Sequence, residues 1–289
     1  AMIPIVPHVV PYKYSQIITV NGSRDKAAGN MAPFTYSEKE LAYMAEGGEV
    51  CPHIMGTDSM GRDYFIRVIY GTRVSLTVGL FAAVIVLLIG VVYGSISGYF
   101  GGKVDMVMMR IVDIIYSLPD MLMVVLLSVV LREVINVDAF PALQKIGTNM
   151  ISMFIVFALL YWTGMARMVR GQILTVKQNE YILAARVSGA KDSRIIRRHI
   201  LPNIVSVIII AAALQIPSAI FTESFLSFIG LGVQAPMPSL GSLANEARAG
   251  ITQYPYKLLF PAGMICLITL AFNLLGDGLR DAFDPKLRR

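Results

Sequence analysis

The sequence predicts an all-α, polytopic membrane helix bundle. Three observations carry that prediction. Of the 289 residues, 55% are hydrophobic and only 15% are charged. The apolar residues gather in five long runs separated by polar stretches, and a soluble domain cannot solvate that much apolar surface. Inside lipid every backbone N–H and C=O needs an internal partner, so these runs are read as helices and not as open strands.

The first stretch, 1–73, is soluble in character. It opens with "AMIPIVPHVVPYKY", where Pro4, Pro7 and Pro11 rule out a signal-peptide core or a spanning helix. The segment reads as the outer end of a helix whose earlier part is missing here. "NGSRDKAAGNMAPF" is turn-rich, and "TYSEKELAYMAEGGE" predicts a short helix with Ser37 as N-cap and Glu40 completing a capping box. In "GTDSMGRDYFIRVIYGTR", Phe65, Val68 and Ile69 share one helical face, which predicts an interfacial helix before the first span. The spans are placed at 74–97, 111–131, 150–166, 204–222 and 258–276, at or near the roughly 20 residues that cross a hydrocarbon core. Residues 74–289 are therefore read as the transmembrane domain, with 1–73 as a segment outside it.

Orientation follows from lysine and arginine in the short loops. Loop 167–202 holds Arg167, Arg170, Lys177, Arg186, Lys191, Arg194, Arg197 and Arg198, and the tail adds Arg280, Lys286, Arg288 and Arg289. Loop 132–148 has only Arg132 and Lys145, and loop 230–257 only Arg248 and Lys257. The basic loop and C-terminus are expected on the cytoplasmic side, and the sparse loops and residues 1–73 outside. The net charge of +6 thus belongs to membrane topology and calls for no nucleic-acid partner.

Signs of catalysis are thin. None of the histidines, His8, His53 and His199, lies within a span, so an intramembrane nucleophile has no obvious base. Cys51, His53 and Asp58 match no common zinc spacing. Cys51 and Cys266 sit in polar and apolar surroundings respectively, which argues against a disulfide. No phosphate-binding G-x-x-x-x-G-K-[ST] loop occurs. Ionisable groups within the spans are the better lead, because each is costly unless it faces protein or water. Asp113 and Asp120 flank "IIYSLP", and Glu223 ends "IPSAIFTE", with Pro119 and Pro217 breaking the helical ladder nearby. One reading makes Asp120, Glu223, Tyr116 and Ser117 part of a polar substrate path. The other pairs the acids with basic neighbours or places them in headgroup water; Asp113, one turn from Arg110, fits that reading better.

The stretch "EYILAARVSGAKDSRIIRRHILPN" sits between two spans. As a helix it puts Val176, Leu183, Val187 and Ala190 on one face. Ala184 and Ala185 keep part of its surface flat, and Gly189 is a left-handed stop. A second helix is expected from Asp192 or Ser193, with Arg194, Arg197 and Arg198 opposite Ile195, Ile196 and Ile200, and Pro202 marking the next span. A basic loop held against anionic lipid explains the arginines. It leaves the small-residue helix with its glycine stop unexplained.

That stretch resembles the E-A-A-x-x-x-G-x9-I-x-L-P motif of bacterial ABC importer permeases, matching it at Ala184, Ala185, Gly189, Leu201 and Pro202. Leu183 replaces the motif's Glu and His199 its Ile, so a contact through Leu183 is apolar and not a salt bridge. "GTDSMGRDYFIRVIYGTRVSL", "ESFLSFIGLGVQAPMPSLG" and "LAFNLLGDGLRDAFDPKLR" resemble segments of the peptide/nickel group, C-type subunit. The resemblance implies a type I, binding-protein-dependent permease with six spans, of which five are visible. It also implies that Leu183, Ala184, Ala185, Arg186, Val187, Ser188 and Gly189 dock on an ATPase. The implied partners are a B-type permease, two ATPases that bind ATP and magnesium, an extracytoplasmic solute-binding protein facing "GLGVQAPMPSLGSLANEARAG", and the lipid of a bacterial cytoplasmic membrane. The chain itself would need no cofactor and perform no chemistry, and its substrates would be di- or oligopeptides. A nickel chelate or glutathione is the alternative within this group, and an intramembrane hydrolase or a passive channel the alternative outside it.

Overall fold

The computed structural model describes residues 29–48, 52–135, 147–233 and 237–283. The proline-rich start, Cys51, most of loop 132–148 and the end of the basic tail lie outside the described residues. Nine helices are described: α1 (Glu38–Ala45), α2 (Tyr64–Phe100), α3 (Gly102–Tyr116), α4 (Asp120–Val134), α5 (Thr148–Val176), α6 (Glu180–Val187), α7 (Asp192–Phe228), α8 (Leu240–Arg248) and α9 (Tyr256–Phe283). Helices α2, α5, α7 and α9 are long and apolar enough to cross a membrane. Helices α3 and α4 meet at 87° and are together long and apolar enough for a fifth, broken span or a re-entrant loop.

Three features differ from the sequence reading. The interfacial helix before the first span is not a separate element: residues from Tyr64 onward are the first turns of the 37-residue α2, because no proline lies between them and Gly71, packed against Leu240 and Leu243, stays within the helical ladder. Similarly, the helix expected from Asp192 does not end at Pro202 but runs on as α7. Proline removes one N–H from the ladder, and the π turn Ile196–Ile200 just before it absorbs the misfit. Finally, the break at Ser117, Leu118 and Pro119 turns the chain sharply where only a kink is expected.

The chain forms two compact units. One comprises Ala1–Leu76 and Glu223–Leu267, the other Thr77–Thr222 and Ile268–Arg289. In the first, the predicted capping box of α1 is present: the Ser37 backbone donates to Glu40 Oε2 at 2.8 Å and Glu40 N–H to Ser37 Oγ at 3.3 Å. Buried Arg67 bonds Asp58 at 2.7 Å and both oxygens of Glu246, and Arg62 bonds Asp58 at 2.5 Å. Two cations and two carboxylates thereby neutralise each other. Tyr64 adds a hydrogen bond to the Lys257 carbonyl at 2.8 Å, so the early segment is tied to the stretch around α8 and does not stand alone.

In the second unit α2 and α5 cross closely. A Cβ at Gly94 would lie 2.5 Å from the Ala166 carbonyl oxygen, and one at Gly90 would lie 2.6 Å from Met165 Cβ. Small residues at this spacing permit the helix approach that apolar packing in a membrane requires. Around it runs a core that includes Val86, Val112, Val169, Ile173, Ile182, Ile195 and Ile204. On the outer side of α2, Leu80, Val84, Leu88 and Val92 form an exposed stripe at four-residue spacing, as a lipid-facing surface demands.

Candidate functional site

Helix α6 is short, exposed and firmly stopped. Gly189 has φ +74°; its N–H donates to the Arg186 carbonyl at 3.0 Å, and that of Ala190 to the Ala185 carbonyl at 3.1 Å. This is the paired C-terminal arrangement that a left-handed glycine makes possible. Val187 is 89% exposed and Leu183 50%, whereas Ile182 is 0% exposed. The buried side of α6 is therefore Ile182 with half-buried Ala185, while Leu183 and Val187, two of the residues read as one face, point outward. Of the predicted docking set, Leu183, Ala184, Arg186, Val187, Ser188 and Gly189 are all exposed.

The base beneath α6 is tied to the bundle at several points. Ile182 packs in the core with Tyr99, Val112 and Ile173. Tyr99 Oη donates to Asp192 Oδ1 at 2.6 Å, and Arg186 lies 5.5 Å over the Tyr99 ring. Lys177 Nζ donates to the carbonyls of Gly98 and Tyr99 at 3.3 and 2.8 Å. It thus caps the C-terminus of α2, where positive charge is favoured. Arg170 bonds Asp105 at 2.5 Å through Nε and Nη2. These contacts join α6 and the chain beside it to α2, α3 and α7.

In the same unit a cavity of about 540 Å³ opens within the helices. Its lining draws on three interruptions of helical backbone: Tyr116 and Asp120 from the α3–α4 break, Tyr161 from the π turn Phe157–Tyr161, and Pro217 of α7. Irregular backbone at membrane depth is tolerated where it is buried in protein or borders a water-filled space. Gln215, Ser218 and Thr222 of α7, with Thr269 and Asn273 of α9, add polar groups. Tyr161 Oη and Thr222 Oγ1 are 2.9 Å apart. Asp120 is the one ionisable carboxylate among the lining residues. Sequence reasoning missed Gln215, Ser218, Thr222, Thr269 and Asn273. Their spacing of three or four within apolar runs was the available signal.

The other candidates lie elsewhere. Ser117 turns back to the Ile114 carbonyl at 2.8 Å. Glu223 is 0% exposed and belongs to the first unit, where Ser75 and Ser227 each donate to it at 2.7 Å. Asp113 pairs with Arg167 at 2.7 Å instead of Arg110, and Arg167 stacks 4.2 Å over the Tyr116 ring. His53 is held between Asp63 at 2.9 Å and Glu40 at 3.0 Å, while Asp58 serves Arg62 and Arg67. Burial, the largest influence on His53, disfavours its charge, but the two carboxylates outweigh it and raise its pKa to about 9. Burial likewise opposes the charge of Glu40, yet its bonds to His53 and Ser37 hold its pKa below the ordinary value.

A bundle of several apolar helices with a polar internal cavity and a short exposed helix anchored to its core has the architecture of a membrane permease. The chain belongs to the family of binding-protein-dependent transport system inner membrane components, whose model matches residues 90–289. It is similar to the oligopeptide transport system permease protein OppC of Bacillus subtilis, 47% identical over 237 residues, or 82% of this chain and 73% of that protein. The dipeptide transport system permease protein DppC of the same organism is 48% identical over 238 residues, 82% of this chain and 70% of DppC. Among solved structures, the inward-facing MetNI methionine ABC transporter shares the fold with a TM-score of 0.59 at 18% identity, covering 76% of this chain and 98% of that one. The chain is a multi-pass inner-membrane transport subunit and not a hydrolase.

Proposed function

We propose that this chain is the permease subunit of an ATP-driven importer of short peptides. Its relatives named for oligopeptide and dipeptide transport support the substrate class. The observation that carries the mechanism is α6, whose apolar Leu183 and Val187 are exposed while Ile182 locks its back into the core. Residues 183–189 dock on an ATPase in the cytoplasm, and loop 167–202 and the C-terminus lie on that side. Residues 1–73 lie outside; their packing with the stretch around α8, which the charge rule also places outside, supports this. A B-type permease, two ATPases holding ATP and magnesium, and a solute-binding protein complete the complex. When the ATPases close, α6 is carried with them and the ends of α2, α3 and α7 follow. Closure shifts the bundle only by its differential affinity for the two states. Peptide passes along the cavity bordered by Tyr116 and Asp120.

The test is co-purification of the chain with the products of neighbouring genes, with and without Gly189→Pro. Proline cannot adopt φ +74° and lacks the N–H that bonds Arg186. Two ATPases and a second permease should co-elute with the wild type and be lost from the variant. The intact complex should take up labelled di- and oligopeptides in preference to a nickel chelate or glutathione. Retention of the ATPases by the variant would remove α6 as the dock, and ATP-independent flux would favour a channel.

A further inference from the structure

The basic residues of 167–202 divide into two groups. Arg167 and Arg170 are paired with Asp113 and Asp105, Lys177 caps α2, and Arg186 covers Tyr99. Arg194, Arg197 and Arg198 have no such use. They stand on the exposed side of the first turns of α7, opposite buried Ile195 and Ile200. With Pro202 they line one open groove. Among the described residues no carboxylate forms an ion pair with any of the three, and the one hydrogen bond from their guanidinium groups runs from Arg197 Nε to the Ser193 carbonyl at 3.3 Å. Three guanidinium groups around one groove repel each other until an anion neutralises them.

Position along α7 indicates which anion. This helix is long and apolar enough to cross the membrane, and its long, mostly apolar run begins at Ile204. With a rise of about 1.5 Å per residue, Arg198 lies ~9 Å and Arg194 ~15 Å before that point along the axis. Both backbone positions lie beyond the headgroup layer, about 5–7 Å deep on each face, and close enough for a long arginine side chain to reach back to it. Arginine side chains there bend toward the interface and grip phosphate through two parallel N–H bonds. We infer that Arg194, Arg197 and Arg198 form a binding site for the headgroup phosphate of an anionic phospholipid, which holds the base of α7 at the membrane surface beside the docking helix. The inference rests on α7 as a span and is independent of what is transported.

Native mass spectrometry of the full chain in detergent, titrated with phosphatidylglycerol or phosphatidylcholine, tests it. The wild type should retain phosphatidylglycerol over phosphatidylcholine. Each Arg→Gln change should weaken that binding about fivefold and the three together about a hundredfold. A control carrying Lys103→Gln, Arg132→Gln and Arg280→Gln, with the same loss of charge, should keep the lipid. If the triple arginine variant does not fold, the three single variants still provide the graded series. Equal loss in both triple variants, or unchanged binding in the arginine series, would overturn the site. Competition by free glycerol phosphate as strong as that by the lipid would make it a simple anion site. Loss of a co-purifying ATPase with lipid binding intact would assign the groove to a protein partner.

Discussion

Replacing Ile182 by alanine should release helix α6 from a bundle that stays folded. Ile182 is 0% exposed, and truncating such a side chain to alanine costs about 2–5 kcal/mol, the lower part of that range where neighbours can relax. The site lies at the edge of the core, so about 2–3 kcal/mol is the appropriate figure. What remains is half-buried Ala185 and the Arg186–Tyr99 contact, worth about 0.5–1 kcal/mol at an exposed position. Helix α6 has eight residues, too few to persist without tertiary support. The detached population should therefore rise roughly 30- to 150-fold. Hydrogen exchange of the Ser188, Gly189 and Ala190 amides, which bond carbonyls of Ala184, Arg186 and Ala185, reads that population directly. Those amides should exchange faster by this factor while amides of α5 stay protected, and peptide uptake should fall. Leu183→Ala, at an exposed position, should leave exchange unchanged and weaken ATPase binding instead. Identical exchange in Ile182→Ala and wild type would refute Ile182 as the anchor.

Two further outcomes follow from the packing. Because the pKa of His53 is raised from 6.5 to about 9, its ion pairs stabilise the fold fully below the lower value. That contribution, about 3 kcal/mol, is lost as pH rises through about 9; thermal unfolding across this window should show a decline that His53→Gln abolishes. Gly94→Leu forces a side chain against the Ala166 carbonyl, 2.5 Å from its first carbon, and should cost at least about 1–3 kcal/mol. Gly171→Leu, with nothing within 4 Å of its Cβ, should leave the melting temperature nearly unchanged, and equal effects of the two would contradict the close crossing of α2 and α5.

Much of helix α6 was legible because its signals are local. A left-handed stop at Gly189, small residues at Ala184 and Ala185, and a restart at Asp192 each depend on a few neighbouring residues. Asp120 and Tyr116 stood out for a similar reason, since Pro119 marks the break beside them. By contrast, the partner of Asp113 was misread: Arg110 is near in sequence, but the bend at Leu118 and Pro119 leaves Arg167, 54 positions away, at 2.7 Å. Glu223 looked like a path residue because a carboxylate within an apolar run is costly. One compensating hydroxyl, Ser227, is four positions on, but the other comes from Ser75, 148 positions away, which no local pattern reveals.

By itself the sequence determined the membrane class, the number of apolar runs, the glycine stop and the distribution of basic loops. These follow from transfer free energy and backbone sterics, which act residue by residue. Only the tertiary structure decided which face of α6 is anchored, that three breaks in helical backbone border one cavity, and that Arg194, Arg197 and Arg198 pair with no carboxylate among the described residues. Each of these depends on which distant groups become neighbours, and hydrogen bonds, ion pairs and close packing acquire their energy only once those neighbours are in place.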